Sequence, residues 1–488
     1  MVRRLDFTLI CVLFVLALLI RLRFITASGF DGLYGQDAYA YYDFASAVVR
    51  GEAPGAFFWP LGYPTLLIAG MGVGGVDPLI GQRISLVMGA GLASLVFILA
   101  RQFSVGRIGA FFAGLLVVFG GQAAQCSLVL MSDVPALFWC VLSAVALNIY
   151  FATDKSRWLA FAAFLLAFAG ITRWLYLVLA LPWTVSVLLH WRGRLRWRAA
   201  LLGFAAVMIV LLPQWMYSRA SPFPVLNHAW VEGWSLANFA RHEFTNVDGH
   251  FFYTDVNALF YAQPLYNFYY LAPLFLPLVV LGVVFLIRTT PHSQTVLLIG
   301  WLVLPYLFLA GIPYQNMRFG LILVPAIVML VGLGLNGILL TTRTFHPLLY
   351  RLAQAVMAGF VLVGIAQMNA NGSETISAFI TRQQEDKAIA RWAAEQLPSG
   401  EHLYSFGLTL TLQHYTPLQV HEIYYETPQT LEQRWERDHA DYLLLNVWNI
   451  QNQWNGREPQ TVYHWFRDVR GLQTLGRYGN YTLFRVKG

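Results

Sequence analysis

The chain has three cysteines among 488 residues, Cys11, Cys126 and Cys140, all in apolar segments and none in a CxxC or Cys/His spacing. That pattern excludes a disulfide framework and a structural zinc site. Charge is scarce as well: 12% of the residues are Asp, Glu, Lys or Arg, against 57% hydrophobic. A soluble globular core cannot hide that much apolar surface, so the bilayer is the natural solvent. A Gly-rich phosphate loop is missing, which leaves a bound nucleotide without a cradle, and no internal repeat of the transporter kind is visible. The first apolar run, ending at Ile20, is not followed by a small-residue cleavage site. Arg21 and Arg23 close it, and it reads as an uncleaved first span.

Aromatic residues, in contrast, are plentiful: 16 Trp, 24 Tyr and 35 Phe, more than cores need and suited to membrane interfaces or sugar-binding grooves. The net charge of +7 falls mostly in short loops between apolar runs, where it sets orientation; no nucleic-acid partner is expected. Because about 20 apolar residues cross a bilayer, eleven spans are expected, at 5–25, 79–100, 107–125, 133–151, 157–171, 173–189, 199–217, 268–287, 294–312, 319–339 and 347–367. Arg3/Arg4, Arg101/Arg107, Lys155/Arg157, the four arginines from Arg192 to Arg198, Arg288 and Arg343 then share one side, the cytoplasm. The N-terminus is expected inside, as in an integral protein of a bacterial inner membrane, and residues 368–488 outside.

Two long loops, 26–78 and 218–267, are placed outside, with Tyr63–Val76 dipping into the outer leaflet rather than crossing. The expected fold class is an all-α polytopic membrane domain over 1–367 followed by a small extracytoplasmic α/β domain over 368–488. In that tail a polar helix around Thr381–Gln396 precedes strand-like runs at His402–Phe406, Val420–Tyr425 and Tyr442–Leu445, with helical Pro428–Arg437 among them. It carries no catalytic signature.

Few residues carry chemistry. Asp37 begins a surface helix whose apolar face is Ala38, Tyr41, Ala45 and Val48. It can cap that helix or hold a carboxylate ready to take a proton from an acceptor hydroxyl. Asp133, in Met131-Ser-Asp-Val-Pro135, also sits where a helix starts, and the topology assigns both acids to the outer rim. Arg83, Arg173 and Arg318 are placed at the same side. Each alone suits an interfacial anchor; together they suit a phosphate group. The loop 218–267 mixes Trp234, Phe244, Phe251 and Phe252 with His228, His242, Glu243 and His250. Such a mixture can stack on sugar rings or cover an interfacial platform. His242-Glu243 and Asp248-Gly-His250 have no recognised metal spacing, although a divalent cation stays open.

In their order these residues resemble the C-type (GT-C) glycosyltransferases that use polyprenyl-phosphate sugars, the group that includes protein O-mannosyltransferases and the lipid A aminoarabinose transferase. Asp37 in Gly35-Gln-Asp-Ala-Tyr39 matches the first-loop aspartate of that family. Pro60-Leu-Gly-Tyr-Pro64 is similar to its Pro-rich aromatic segment, and Gln82 to Ser85 through Arg107 to its second span and basic loop. Ser132 to Pro135, Thr172-Arg173 and Arg318 through Pro325 follow in the family's order. Many members carry Asp-Glu at the first-loop site; here Ala38 follows Asp37.

The resemblance implies a sugar moved from a polyprenyl-phosphate donor to the hydroxyl of a glycan, lipid or protein acceptor, by one inverting displacement at the outer face of the membrane. It implies catalytic roles for Asp37 and Asp133 and donor-phosphate contacts from Arg83, Arg173 and Arg318. Tyr41, Trp59, Tyr63, His242, Glu243 and His250 are then expected to contact acceptor or sugar. A transporter or flippase of a lipid-linked glycan is the alternative, as is a non-catalytic assembly partner. Transporters, however, place ionisable groups at the bilayer midplane, whereas these acids sit at the rim.

Overall fold

The computed structural model describes residues 4–55, 57–220, 229–438 and 441–487. Its first ten helices are α1 (Arg4–Ser28), α2 (Gln36–Arg50), α3 (Gly62–Gly74), α4 (Pro78–Gln102), α5 (Arg107–Phe119), α6 (Gly121–Leu128), α7 (Asp133–Thr153), α8 (Ser156–Thr172), α9 (Ala180–Trp191) and α10 (Trp197–Ala220). Among the described residues, eight helices are long and apolar enough to cross a membrane alone: α1, α4, α7, Trp174–Trp191, α10, His292–Gly311, Met317–Thr344 and Pro347–Gln396. The pair α5 and α6 passes the same test jointly but is bent by 54°, and Ser156–Thr172 and Pro273–Thr289 are shorter apolar helices. Ten of the eleven apolar segments read from the sequence fall on these helices to within a residue at their ends, while the helix in 268–287 begins only at Pro273. Helix α3 holds 13 residues, too few to cross.

The division between α5 and α6 falls at Gly120, whose ψ of 110° ends the first helix. The Gln122 amide N–H, no longer bonded within α5, donates to the Tyr269 carbonyl at 3.0 Å. A side chain at Gly121 would run into the Tyr269 ring, so the turn admits only glycine there.

Elsewhere the helices meet through backbone. A Cβ on Gly282 would overlap the Leu330 carbonyl, one on Gly334 the Leu278 carbonyl, and one on Gly332 the Gly109 carbonyl. Close approach through small residues is how helices associate where lipid supplies no hydrophobic drive. Gly282→Leu is therefore expected to destabilise the protein by at least about 1–3 kcal/mol. Gly72→Leu, whose added Cβ would face open space, should leave the thermal unfolding midpoint in nanodiscs unchanged and serves as the control.

The chain divides into two compact units, one of Met1–Ala240 with Asn257–Ser377, the other of Arg241–Val256 with Ala378–Gly488. Helix Pro347–Gln396 does not stop near 367; it is 50 residues long in all and ends at Gln396. The second unit holds a five-stranded sheet in the order β4-β3-β5-β7-β6. Strands β3 (His402–Ser405), β4 (Gln419–Glu422) and β5 (Tyr442–Leu445) are parallel; β6 (Leu472–Tyr478) and β7 (Tyr481–Val486) complete it antiparallel. Both faces are covered, Tyr404, Leu443 and Phe484 packing into one cluster and Leu403, Leu444 and Leu483 into another. This is why the central strand β5, Tyr442-Leu-Leu-Leu445, reads as an unbroken apolar run.

The second unit also contains the hairpin β1 (Glu243–Asn246) and β2 (Gly249–Phe252), which the sequence reading left in the aromatic loop 218–267. Residues 221–228 of that loop, His228 among them, lie outside the described residues. The hairpin is held by main-chain and side-chain bonds: His250 N–H to the Gln453 carbonyl at 2.7 Å, Gln453 Nε2 to the Asp248 carbonyl at 2.8 Å and Arg457 Nη2 to the Asn246 carbonyl at 3.0 Å.

Candidate functional site

The site grows from the way α4 ties two loops together. Gln82, buried on α4, donates through Nε2 to the carbonyls of Phe30 at 2.9 Å and Leu128 at 3.0 Å, while the Leu130 amide donates to the Gly32 carbonyl at 3.0 Å. The loop after α1 and the segment after α6 are thus fixed side by side. Ala38, Tyr41 and Ala45 on α2 are buried as the amphipathic pattern requires, along with Tyr42 and Phe44. Asp37 lies in the first turn, but the cap position is Gly35 and the Asp37 carboxylate pairs with Arg318. That removes the simplest structural role for its carboxylate.

Asp133 opens α7 and its side chain is 2% exposed. It is met by Arg173, whose extended backbone (φ −154°, ψ 118°) ends α8. Arg173 Nη1 donates to Asp133 Oδ2 at 3.2 Å and its Nε stands 3.2 Å from Oδ1, a close ion pair with one charge-assisted hydrogen bond. Its Nη1 also donates to Ser132 Oγ at 3.2 Å, and the guanidinium lies 5.1 Å from the centre of the Phe319 ring.

Arg318 comes from a 3₁₀ turn, Met317–Leu323, whose start is capped by Asn316 Oδ1 accepting from the Arg318 amide at 3.0 Å. Its Nη1 stands 3.2 Å from Asp37 Oδ2 and 3.7 Å from Asp133 Oδ2. Positions 37, 133, 173 and 318, from four separate helical segments, converge in one alternating array of two carboxylates and two guanidiniums. Asp37 and Arg318 retain 22% and 24% side-chain exposure, so the array opens on their side while Asp133 is shut in.

Tyr41, one helical turn beyond Asp37, faces the same way and its hydroxyl donates to Ser132 Oγ at 3.0 Å. Burial, reinforced by the Asp37 carboxylate, pushes the Tyr41 phenol well above its ordinary range and keeps it a donor. The Tyr63 ring stands edge-on to Tyr41 at 5.0 Å, with its hydroxyl 3.1 Å from Ser85 Oγ.

Tyr41 and Tyr63, expected to touch acceptor or sugar, are instead 1% and 0% exposed and spend their hydroxyls on protein partners. Both act as supports. Trp59, half-buried, packs 5.9 Å from Tyr41 at the edge of this group. Arg83 does not join the array: it is exposed on α4 and makes no ion pair with Asp37 or Asp133. The stripe of α4 that faces inward carries Gln82, Ser85, Leu86 and Gly89, and Arg83 shares the outward stripe with Val87.

His242, Glu243 and His250 belong to the hairpin of the second unit. His242 Nε2 lies 3.6 Å from Glu243 Oε1, and both ring nitrogens of His250 are engaged, by Thr245 Oγ1 at 2.7 Å and the Asn455 carbonyl at 2.9 Å.

Among the described residues no three His, Cys, Asp or Glu side chains gather as metal ligands would. The two carboxylates of the array already face two guanidiniums, and a divalent cation would add positive charge where positive charge is in place. The residues do not fit that cation, and no step below runs through one.

No family model and no curated protein matches the sequence. Solved structures do. The chain is similar to ArnT from Cupriavidus metallidurans bound to undecaprenyl phosphate, at 13% identity and a TM-score of 0.63, over 97% of both chains. Against the same protein in the apo state the TM-score is 0.68, again at 13% identity and 97% of both chains. It is also similar to the Archaeoglobus fulgidus oligosaccharyltransferase tethered to an acceptor peptide, at 10% identity and a TM-score of 0.56, over 91% of this chain and 69% of that one. At these identities the likeness establishes the fold. The chain shares the fold of these structures, a helical part with helices long and apolar enough to cross a membrane and a small C-terminal α/β domain.

Proposed function

We propose that the protein is a membrane glycosyltransferase that moves a sugar from a polyprenyl-phosphate donor to an acceptor hydroxyl on the extracytoplasmic face. The convergence of Asp37, Asp133, Arg173 and Arg318 carries this reading, because an inverting transfer needs a base on one side of the anomeric carbon and cations on the other. Asp37, the exposed acid, takes the proton from the acceptor hydroxyl as its oxygen bonds to the anomeric carbon. The bond from that carbon to the phosphate oxygen breaks in the same step, and Arg173 and Arg318 stabilise the phosphate charge that develops. Asp133 holds the arginines in register. The neighbour crystallised with undecaprenyl phosphate supports a lipid-phosphate donor, and the one tethered to a peptide supports a macromolecular acceptor.

In this reading the catalytic machinery belongs to the membrane part, 1–367, and the residues from 368 on form an extracytoplasmic domain. With the basic loops inside a bacterial inner membrane, the N-terminus is cytoplasmic and an odd count of eleven spans leaves the C-terminal domain outside. Nanodiscs holding purified protein, a panel of radiolabelled polyprenyl-phosphate sugars and a glycan acceptor test the activity. Label should appear in acceptor; donor crossing liposome membranes without transfer would replace this reading with that of a flippase.

The topology has its own test. Ser399 is exposed in the turn after the long helix. Ser399→Cys in a background without Cys11, Cys126 and Cys140 is expected to react with an impermeant thiol reagent added to intact spheroplasts. Labelling only after lysis would overturn the orientation.

A further inference from the structure

The two acids of the array are not held alike. Asp133 is gripped twice by Arg173, which is fixed in turn by Ser132 Oγ at 3.2 Å and by the Phe319 ring, and it has Arg318 besides. Asp37 has one cationic partner among the described residues, Arg318 at 3.2 Å. Arg318 is also the more exposed of the two guanidiniums, 24% against 14% for Arg173.

A carboxylate whose charge is spent on a guanidinium is a poor proton acceptor. A phosphate competes well for that guanidinium, since it offers several charged oxygens to the planar fork of donors. If Arg318 turns to a phosphate, Asp133 keeps both contacts from Arg173 and loses little. Asp37 alone is set free.

We propose that Arg318 is a partner shared in turn between Asp37 and the phosphate of the donor, so that donor binding unmasks the base. This rests on the lipid-phosphate reading given above. Without donor, the Asp37 carboxylate is neutralised and does not activate an acceptor hydroxyl or a stray water. With donor in place, Arg318 leaves it and joins Arg173 on the phosphate, and the freed carboxylate accepts the acceptor's proton. Donor therefore enters before the acceptor is activated. The phosphate released after transfer carries more charge than the donor did and holds Arg318 more firmly, so undecaprenyl phosphate inhibits against donor.

Competition for one cation makes a thermodynamic prediction that needs no turnover. Undecaprenyl phosphate is titrated into nanodiscs holding the full chain, and binding is read by microscale thermophoresis. Asp37→Asn removes the competitor and should tighten binding about tenfold, a coupling in the usual range for linked sites. Simple repulsion between Asp37 and phosphate also predicts tighter binding, so the cycle is closed with Arg318→Gln. In that background the competition is gone, and Asp37→Asn should change affinity less than about twofold.

Should Arg318→Gln not fold, Arg318→Lys serves: its ammonium cannot fork, and the gain from Asp37→Asn should shrink. A full gain retained in either background overturns the shared-partner role, as does an unchanged or weaker affinity in Asp37→Asn itself. Failure of the unaltered protein to bind undecaprenyl phosphate at all would instead sink the lipid-phosphate reading on which this rests.

Discussion

Asp37→Asn is expected to lower turnover at least about a hundredfold, the range a positioned general base contributes, with the protein still folded and inserted. The amide keeps the shape of the carboxylate and loses its basicity, and the side chain is 22% exposed with a single ion partner, so little packing depends on its charge. Rates from a labelled-donor assay within about tenfold of the unaltered protein, a barrier change of about 1.4 kcal/mol, would end the general-base role. The same substitution should tighten binding of undecaprenyl phosphate. Opposite signs on binding and turnover separate a lost base from a damaged site, which would weaken both.

Arg173→Met should carry the largest stability cost of any single change in the array, about 3–5 kcal/mol, because it strands a buried carboxylate. Asp133 is 2% exposed, and Arg318 at 3.7 Å is the cation left to it. Adding Asp133→Asn to Arg173→Met should recover part of the loss, since the orphaned charge is then gone. Thermal unfolding followed by tryptophan fluorescence measures both, and an unchanged midpoint for Arg173→Met would show that the Arg173–Asp133 ion pair does not form. Donor binding should weaken in either variant.

Much of this was readable from residue order. Apolar runs of bilayer length point to the helices, and Asp37, Asp133, Arg173 and Arg318 stand out because each lies beside a helix boundary that the charge pattern assigns to the outer side. What the sequence lacked was the direction of each side chain around its helix. Arg83 looked equivalent to Arg173 and Arg318, yet it is one residue from Gln82, and one residue is about 100° of rotation on a helix. Gln82 and Ser85, polar and three apart in an apolar helix, were the visible hint of which side of α4 faces inward. Tyr41 and Tyr63 looked like sugar platforms because aromatic rings in an outer loop suit that task. Their hydroxyl partners, Ser132 and Ser85, lie 91 and 22 residues away in the chain and could not be paired by local pattern.

The hairpin was the other thing hidden by distance. Its partners Gln453, Asn455 and Arg457 follow it by about two hundred residues, and nothing in the composition of 218–267 marks the few residues that pair with the tail. Turns and alternation identify a hairpin, not its host.

Because Arg241–Val256 completes the second unit, that unit is discontinuous in the gene, and its two pieces must travel together. A chain cut after Ser377 would keep the hairpin and lose the carbonyls and side chains that cover it, leaving a two-stranded ribbon with bare edges, a shape prone to pair with other copies of itself. Grafting the tail of a relative in place of this one meets the same obstacle unless residues 241–256 are exchanged with it. Truncations and chimaeras of this protein are better built with both pieces moved together, at boundaries before Arg241, after Val256 and after Ser377, the last of which falls inside helix Pro347–Gln396.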